Sequence, residues 1–391
     1  MKKVSPLFIL VLALGVFGII TTEMSIVGVL PQIAQKFAIS TSQAGLLVSI
    51  FALVVAISGP FLILLVSGIN RKLLLLTAIF IFVISNIIYA YTTHFEVMLI
   101  FRILPAALHP IFFSIALVTA AKLVPPEKSN QAVTKVFMGI TVGFALGVPL
   151  TSYLAEQFSL EIAFLFGAIV NAFAFIGILI LLPSMPVKEK MSFGKQISVL
   201  RKPGLWLNIA AVVFIFAAMF SVYSYFAEYL SRVTYMNGTL ISVMLLIFGV
   251  IMIAGNSLFG VFLQKSIVNT VISFPILYLI VYLLVYNLGS YFIPMIFMVF
   301  IWGIVHSGGL IVGQTWLISE AKEAPEFGNS LFVSFSNLGI TLGTSIGGWV
   351  ISQLGIHQLI WSGLIFSLLS LLLIVIKIKF FSSSNQLSLS N

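Results

Sequence analysis

The chain has 391 residues, of which 61% are hydrophobic and 7% charged, and its formal net charge is +9. Soluble domains are about 25% charged, so a chain this apolar lacks the polar surface that keeps a fold in water, and most of it must lie in lipid. Cysteine is absent, which excludes disulfide frameworks, thiolate metal sites and cysteine nucleophiles. Aspartate is absent too, so every acid is one of ten glutamates.

A spanning helix needs about 20 mostly apolar residues. Charges, prolines and polar clusters divide the chain into twelve such stretches, at 6–31, 42–67, 73–92, 96–121, 130–154, 162–183, 205–230, 239–263, 267–287, 291–319, 328–354 and 357–378. Lys2 and Lys3 before an apolar run superficially fit a cleaved signal. That run extends to Leu30, contains Glu23 and offers no small-residue cleavage site, so it reads as a retained first span. The connections are short except 184–204, rich in Lys, Arg and Pro. The expected organisation is a six-helix bundle over 1–183, a linker over 184–204, a second six-helix bundle over 205–380 and a disordered tail over 381–391.

Basic residues set the orientation. Of the 19 lysines and arginines, all lie in the even-numbered connections or near the two ends, except Lys36 and Arg232 on the other side and Arg102 within a span. The positive-inside rule then makes both termini and the linker cytoplasmic. The positive charge reports orientation and anionic headgroups as neighbours, not nucleic acid.

The halves repeat. Gly139-Ile140-Thr141-Val142-Gly143 recurs as Gly339-Ile340-Thr341-Leu342-Gly343, and Ala121-Lys122 with Pro125 recurs as Ala321-Lys322 with Pro325. Their shared order and offset point to duplication. Span 1 carries Thr21-Thr22-Glu23-Met24, then Gly28-Val29-Leu30-Pro31-Gln32-Ile33-Ala34. Further on come Phe51-Ala52-Leu53, Ser58-Gly59-Pro60, Asn70-Arg71-Lys72, Arg102, and Gly143, Gly147 and Pro149. In these motifs the chain resembles the major facilitator superfamily exporters of the drug/metabolite–proton antiporter kind, with the bacterial sugar-efflux and purine-efflux branches nearest.

The resemblance implies an all-α membrane protein with twelve transmembrane helices in two pseudo-symmetric six-helix bundles. It implies proton-coupled export of a drug, purine or sugar-like metabolite across the bacterial cytoplasmic membrane by alternating access, and a place among multidrug resistance proteins. It also implies that spans 1 and 4 face a central cavity. The family's loop after span 2 has an acid before its basic cluster and is thought to latch helices between conformations. Here Ser67 or Gly68 stands at the acidic position while Arg71 and Lys72 remain, which leaves the basic pair to meet lipid phosphates or helix C-termini.

An ionisable residue inside a span is costly and therefore functional by default. Glu127, Glu189, Glu320, Glu323 and Glu326 fall at cytoplasmic ends, and Glu96, Glu156, Glu161 and Glu228 at external ends; all read as solvated. Glu23 and Arg102 are left inside, about 12 Å and 9 Å from the outer ends of their helices. An ion pair or water-bridged pair between them is the expected geometry. Burial disfavours a charged carboxyl and a nearby cation favours it, so a change in their separation would load or release a proton. The alternatives are a static pair joining spans 1 and 4, and direct contact of Glu23 with substrate.

His109 lies one face down from Arg102, about 10 Å deeper. It is a relay or substrate donor, or a core histidine bonded to a carbonyl; His306 in span 10 has the same two readings. Tyr223, Tyr225 and Phe226 are expected near the cavity, where rings stack on planar ligands. Gly139, Gly143 and Gly147, with Gly339, Gly343 and Gly347, form small-residue faces for close helix approach. They are expected to smooth the interface between halves, and Pro149 to bend span 5 near its outer end.

No metal-ligand spacing and no nucleotide-binding Gly-x-x-x-x-Gly-Lys-Ser/Thr occur, so no metal, cofactor or ATP is expected. The expected partners are a small-molecule substrate, protons and membrane lipids, with no nucleic acid, and the chain is expected to be a monomer. The sparse charge favours a neutral or weakly basic planar compound, a sugar or a lipophilic drug. The alternative is a lipid flippase or uncoupled facilitator of the same fold, with Glu23 and Arg102 selecting headgroups. A membrane enzyme or sensor lacks any paired carboxylates, nucleophile constellation or soluble domain.

Overall fold

The computed structural model describes residues 7–66, 68–125, 128–186, 198–322 and 325–381. In hydrocarbon every backbone polar group must be bonded internally, so the apolar stretches become helices. The first half holds α1 (Leu7–Lys36), α2 (Thr41–Leu65), α3 (Arg71–Tyr91), α4 (Phe95–Lys122), α5 (Ser129–Val142), α6 (Val148–Gln157) and α7 (Leu160–Leu181). The second holds α8 (Pro203–Tyr223), α9 (Phe226–Arg232), α10 (Gly238–Lys265), α11 (Ile267–Leu288), α12 (Phe292–Ser319), α13 (Pro325–Leu354) and α14 (Leu359–Phe381). Span 5 is α5 and α6 joined by a π-helical turn, and span 7 is α8 and α9. Most of the linker and all but the first residue of the tail lie outside the described residues, as do Glu127, Glu189 and Glu323.

Eleven helical stretches among the described residues are long and apolar enough to cross a membrane. The twelfth crossing, α13, has 30 residues but is rich in Gly, Ser, Thr and Asn. It packs against both α2 and α8, and its Ser334, Ser336, Asn337 and Thr344 are buried. The polar composition is therefore turned into the protein rather than toward lipid. Twelve crossings return the chain to the face from which it started, here called the terminal face.

The glycine faces correct the expectation of a smooth interface between halves. Gly139, Gly143 and Gly147 lie against Ala13, Ile20 and Thr21 of α1; Gly339, Gly343 and Gly347 lie against Val213, Ala217 and Ser221 of α8. Each set draws two helices of its own bundle together. The close backbone contact between halves is instead Gly249 of α10 against Phe144 and Ala145. Those two residues sit in the π turn Gly143–Gly147, where the Val148 N–H reaches back to the Gly143 carbonyl. Pro149 has no N–H for the Ala145 carbonyl, and the helix widens just before it, where a simple bend was expected.

The face opposite the termini is sewn shut between halves. Thr41 donates to Glu228 Oε1 at 2.9 Å, Gln157 donates to Thr239 at 2.9 Å, and Ser152 and Ser242 share a hydrogen bond of 3.0 Å. Tyr225 wedges between Gly45 of α2 and Gly348 of α13, with its hydroxyl on the Thr344 carbonyl at 2.9 Å. Glu228, expected to be solvated, is buried and also pairs with Arg232. A carboxylate near a helix end can still be covered when the other half closes over it, and a sequence read one helix at a time does not show that.

Candidate functional site

Arg102 is 0% exposed. Its Nε donates to the Leu47 carbonyl at 3.1 Å, one Nη to the Thr22 carbonyl at 2.8 Å and the other to the Glu23 carbonyl at 2.8 Å. The guanidinium also lies 4.5 Å from the Phe51 ring centroid and 5.9 Å from that of Tyr89. Its side chain ties α4 to the main chains of α1 and α2. The expected ion pair with Glu23 is thus replaced by a bond to that residue's backbone oxygen.

The Glu23 carboxylate meets His109 instead. Glu23 Oε2 and His109 Nε2 are 3.1 Å apart, and both residues are buried. The contact is at ion-pair distance, and neither ring nitrogen has an aligned hydrogen bond. His109 stacks on Phe113 at 4.5 Å and meets Phe51 edge-on at 5.9 Å. The reason lies in side-chain direction. Helical side chains lean toward their own N-terminus, so Glu23 on α1 leans toward the terminal face, where the deeper His109 lies. The expectation from Cα depth ignored that lean.

Beside this pair Thr22 forms a polar hub that the sequence reading missed. Its hydroxyl donates to the Gly18 carbonyl and accepts from Asn86 at 2.8 Å and Asn171 at 3.1 Å. Gly18 and Gly167 leave room for the two amides. The signal was available, since asparagine in a span usually bonds across helices. Lys72 caps the end of α7, donating to the Leu179 and Leu182 carbonyls, one of the two uses expected of the basic pair. The Arg71 backbone N–H bonds the Met185 carbonyl.

The second half contains an aromatic cluster. The His306 ring lies 4.6 Å from Tyr223, 5.2 Å from Phe248 and 5.8 Å from Phe220, and Phe226 packs on Trp302 at 4.9 Å. Tyr223 also reaches Phe144 of the π turn, 6.5 Å away across the halves. Tyr223 and Phe226 therefore belong to one central site with His306, whereas Tyr225 closes the opposite face. Among the described residues no group of His, Cys, Asp and Glu could hold a metal ion.

Twelve helical crossings in two halves, with a buried charged centre in one and an aromatic centre in the other, fit a membrane transporter. Residues 12–324 match the Major Facilitator Superfamily, and the chain belongs to that family. It is 30% identical over 367 residues to the Inner membrane transport protein YdhP of Escherichia coli K12, covering 94% of each chain. It is 29% identical to a Probable sugar efflux transporter of Helicobacter pylori G27, covering 97% of each. The fold is shared with nucleoside transporter NupG, with a TM-score of 0.72 at 15% identity over 98% of this chain and 100% of that one. It is also shared with a bacterial homologue of the human lysosomal transporter Spinster, solved inward-facing and unoccupied, with a TM-score of 0.69 at 17% identity over 96% of each. The chain is a multi-pass membrane transporter of small molecules, not an enzyme.

Proposed function

We propose that this transporter exports a small molecule in exchange for protons, with Glu23 as the proton carrier and His109 as its immediate partner. The observation that carries the reading is the buried Glu23–His109 contact of 3.1 Å. A carboxyl and an imidazole in contact can hold the proton on either group. Changing their separation or hydration changes their affinity for it. Arg102, bonded to the Glu23 carbonyl, fixes the backbone from which the carboxyl moves and adds a permanent positive charge nearby.

The distribution of basic residues supports a cytoplasmic terminal face; in this reading the sewn face is periplasmic and substrate enters from inside. Export agrees with what the sugar efflux relatives are named for, and the bacterial inner membrane with the name of the Escherichia coli relative. Glu23, His109, Tyr223 and His306 line the substrate path in this reading, and Tyr225 acts in closure. The test is export from proteoliposomes with and without a pH gradient. Glu23→Gln should abolish gradient-driven export while substrate exchange without a gradient continues. Retention of gradient-driven export by that variant would refute the assignment.

A further inference from the structure

We propose that His306 is a fixed hydrogen-bond donor to the substrate, locked in one tautomer by Tyr278 and Trp302. The substrate is then a neutral ring compound bearing a hydrogen-bond acceptor, such as a sugar oxygen or a nucleobase carbonyl or ring nitrogen. This rests on the transporter reading above and names its substrate class.

The tautomer follows from counting protons. The Trp302 indole N–H can only donate, and it donates to the Tyr278 oxygen at 3.2 Å. Tyr282, packed edge-on against Tyr278 at 4.8 Å, commits its own proton to the Ala218 carbonyl at 2.7 Å. The Tyr278 proton is left for His306 Nδ1, 2.6 Å away. A neutral imidazole that accepts at Nδ1 carries its hydrogen on Nε2.

That Nε2 is fully buried and has no partner among the described residues. Buried polar groups are nearly always paired, so a donor held without an acceptor marks where a ligand atom belongs. The imidazole that carries this donor packs among the rings of Phe220, Tyr223 and Phe248. Among the described residues none of the cluster's hydrogen bonds or ring contacts involves a charged side chain. An ion placed there would lose its hydration without a counter-charge. A neutral ring would stack on aromatic faces and supply the acceptor.

The experiment is equilibrium binding to the full-length protein in detergent, with no gradient, using glucose, adenine and tetraphenylphosphonium as probes. At least one neutral ring should bind, and glucose against adenine separates the two sources of the acceptor; the cation should not bind. His306→Leu should weaken binding about tenfold or more, and His306→Gln, which keeps an N–H donor, should recover most of that loss. Tyr278 is a positioning residue. Nitrogen-15 spectra of histidine-labelled protein should show the Nε2–H tautomer at His306 in the wild type and a mixture in Tyr278→Phe. Thermal unfolding confirms that each variant is folded. Preference for the cation, binding of neither neutral ring, unchanged binding in His306→Leu, or the Nδ1–H tautomer in the wild type would each overturn the proposal. Failure of the export reading appears elsewhere, as loss of gradient dependence in vesicles with binding intact.

Discussion

Replacing Arg102 by lysine should destabilise the protein more than replacing it by methionine, although lysine keeps the charge. Arg102 spreads three donor contacts over three carbonyls of two helices. Each of those carbonyls belongs to a continuous helix and already accepts its i+4 amide, so none is orphaned when the guanidinium goes. Lysine places a compact ammonium at the same depth and cannot reproduce the fork. Hydrogen bonds between membrane helices average about 0.6 kcal/mol, but those of a charged donor are worth about 1.5–3 kcal/mol. Two such losses give about 3 kcal/mol or more for Arg102→Lys. Methionine removes the buried charge altogether, and neutral replacement of buried charge often costs little. Its cost is packing against Phe51 and Tyr89, about 1–2 kcal/mol. The assay is thermal unfolding in detergent followed by fluorescence-detected size exclusion. The expected order of stability is wild type, then Arg102→Met, then Arg102→Lys. A lysine variant as stable as the methionine variant would refute the view that carbonyl geometry, not charge alone, holds Arg102.

The absence of cysteine makes cross-linking clean. Ser152 and Ser242, with hydroxyls 3.0 Å apart, should oxidise to a disulfide when both are changed to Cys, cutting transport at least about tenfold until a reductant is added, because closure must reopen in each cycle; full transport by the cross-linked protein would show that this face does not move. Gly343→Val should abolish folded protein on size exclusion, since a side chain there meets the Ala217 backbone, which cannot yield as a flexible side chain can. Thr22→Val should leave one Asn86 N–H without its acceptor, while Asn171 keeps the Gly18 and Gly167 carbonyls, lowering stability by about 1–3 kcal/mol, and a double-mutant cycle with Asn86→Leu should be strongly non-additive. Phe144→Ala should reduce the pH dependence of substrate binding while binding itself remains, as measured by titration at two pH values; an unchanged pH dependence would mean that coupling bypasses the π turn.

The fold was legible because lipid imposes a length and a composition on each crossing, and only α13 strained the rule by hiding polar residues between α2 and α8. The site was legible as a short roster and not as a set of pairs. Glu23, Arg102 and His109 stand out because charge inside a span is rare. Their pairing depends on side-chain lean and on backbone carbonyls, which every residue has and which therefore leave no mark in a sequence. Glu228 illustrates the same limit. It is buried where Thr41 of the other half bonds to it, and contacts between halves have no local signature.

In the proposed exchange the chemistry is divided between the halves. The first half holds the protonatable pair, and the second holds an aromatic site whose one imidazole is hydrogen-bonded to a phenol. Their separation raises the question of how one senses the other. The contacts run from His306 to Tyr223, from Tyr223 to Phe144 in the π turn, and from that turn through Gly147 to Thr21, two residues from Glu23. A π turn is held by fewer regular bonds than the helix around it and is a common place for helices to rearrange. Here it is also the point where backbone meets backbone across the halves, at Gly249. In this reading a ligand that displaces Tyr223 presses on Phe144, 6.5 Å away, and Phe144 carries the turn with it against α1. That is why the expected effect of Phe144→Ala is on pH dependence rather than on affinity, and why the coupling is assigned to a packed element rather than to any direct contact between substrate and Glu23.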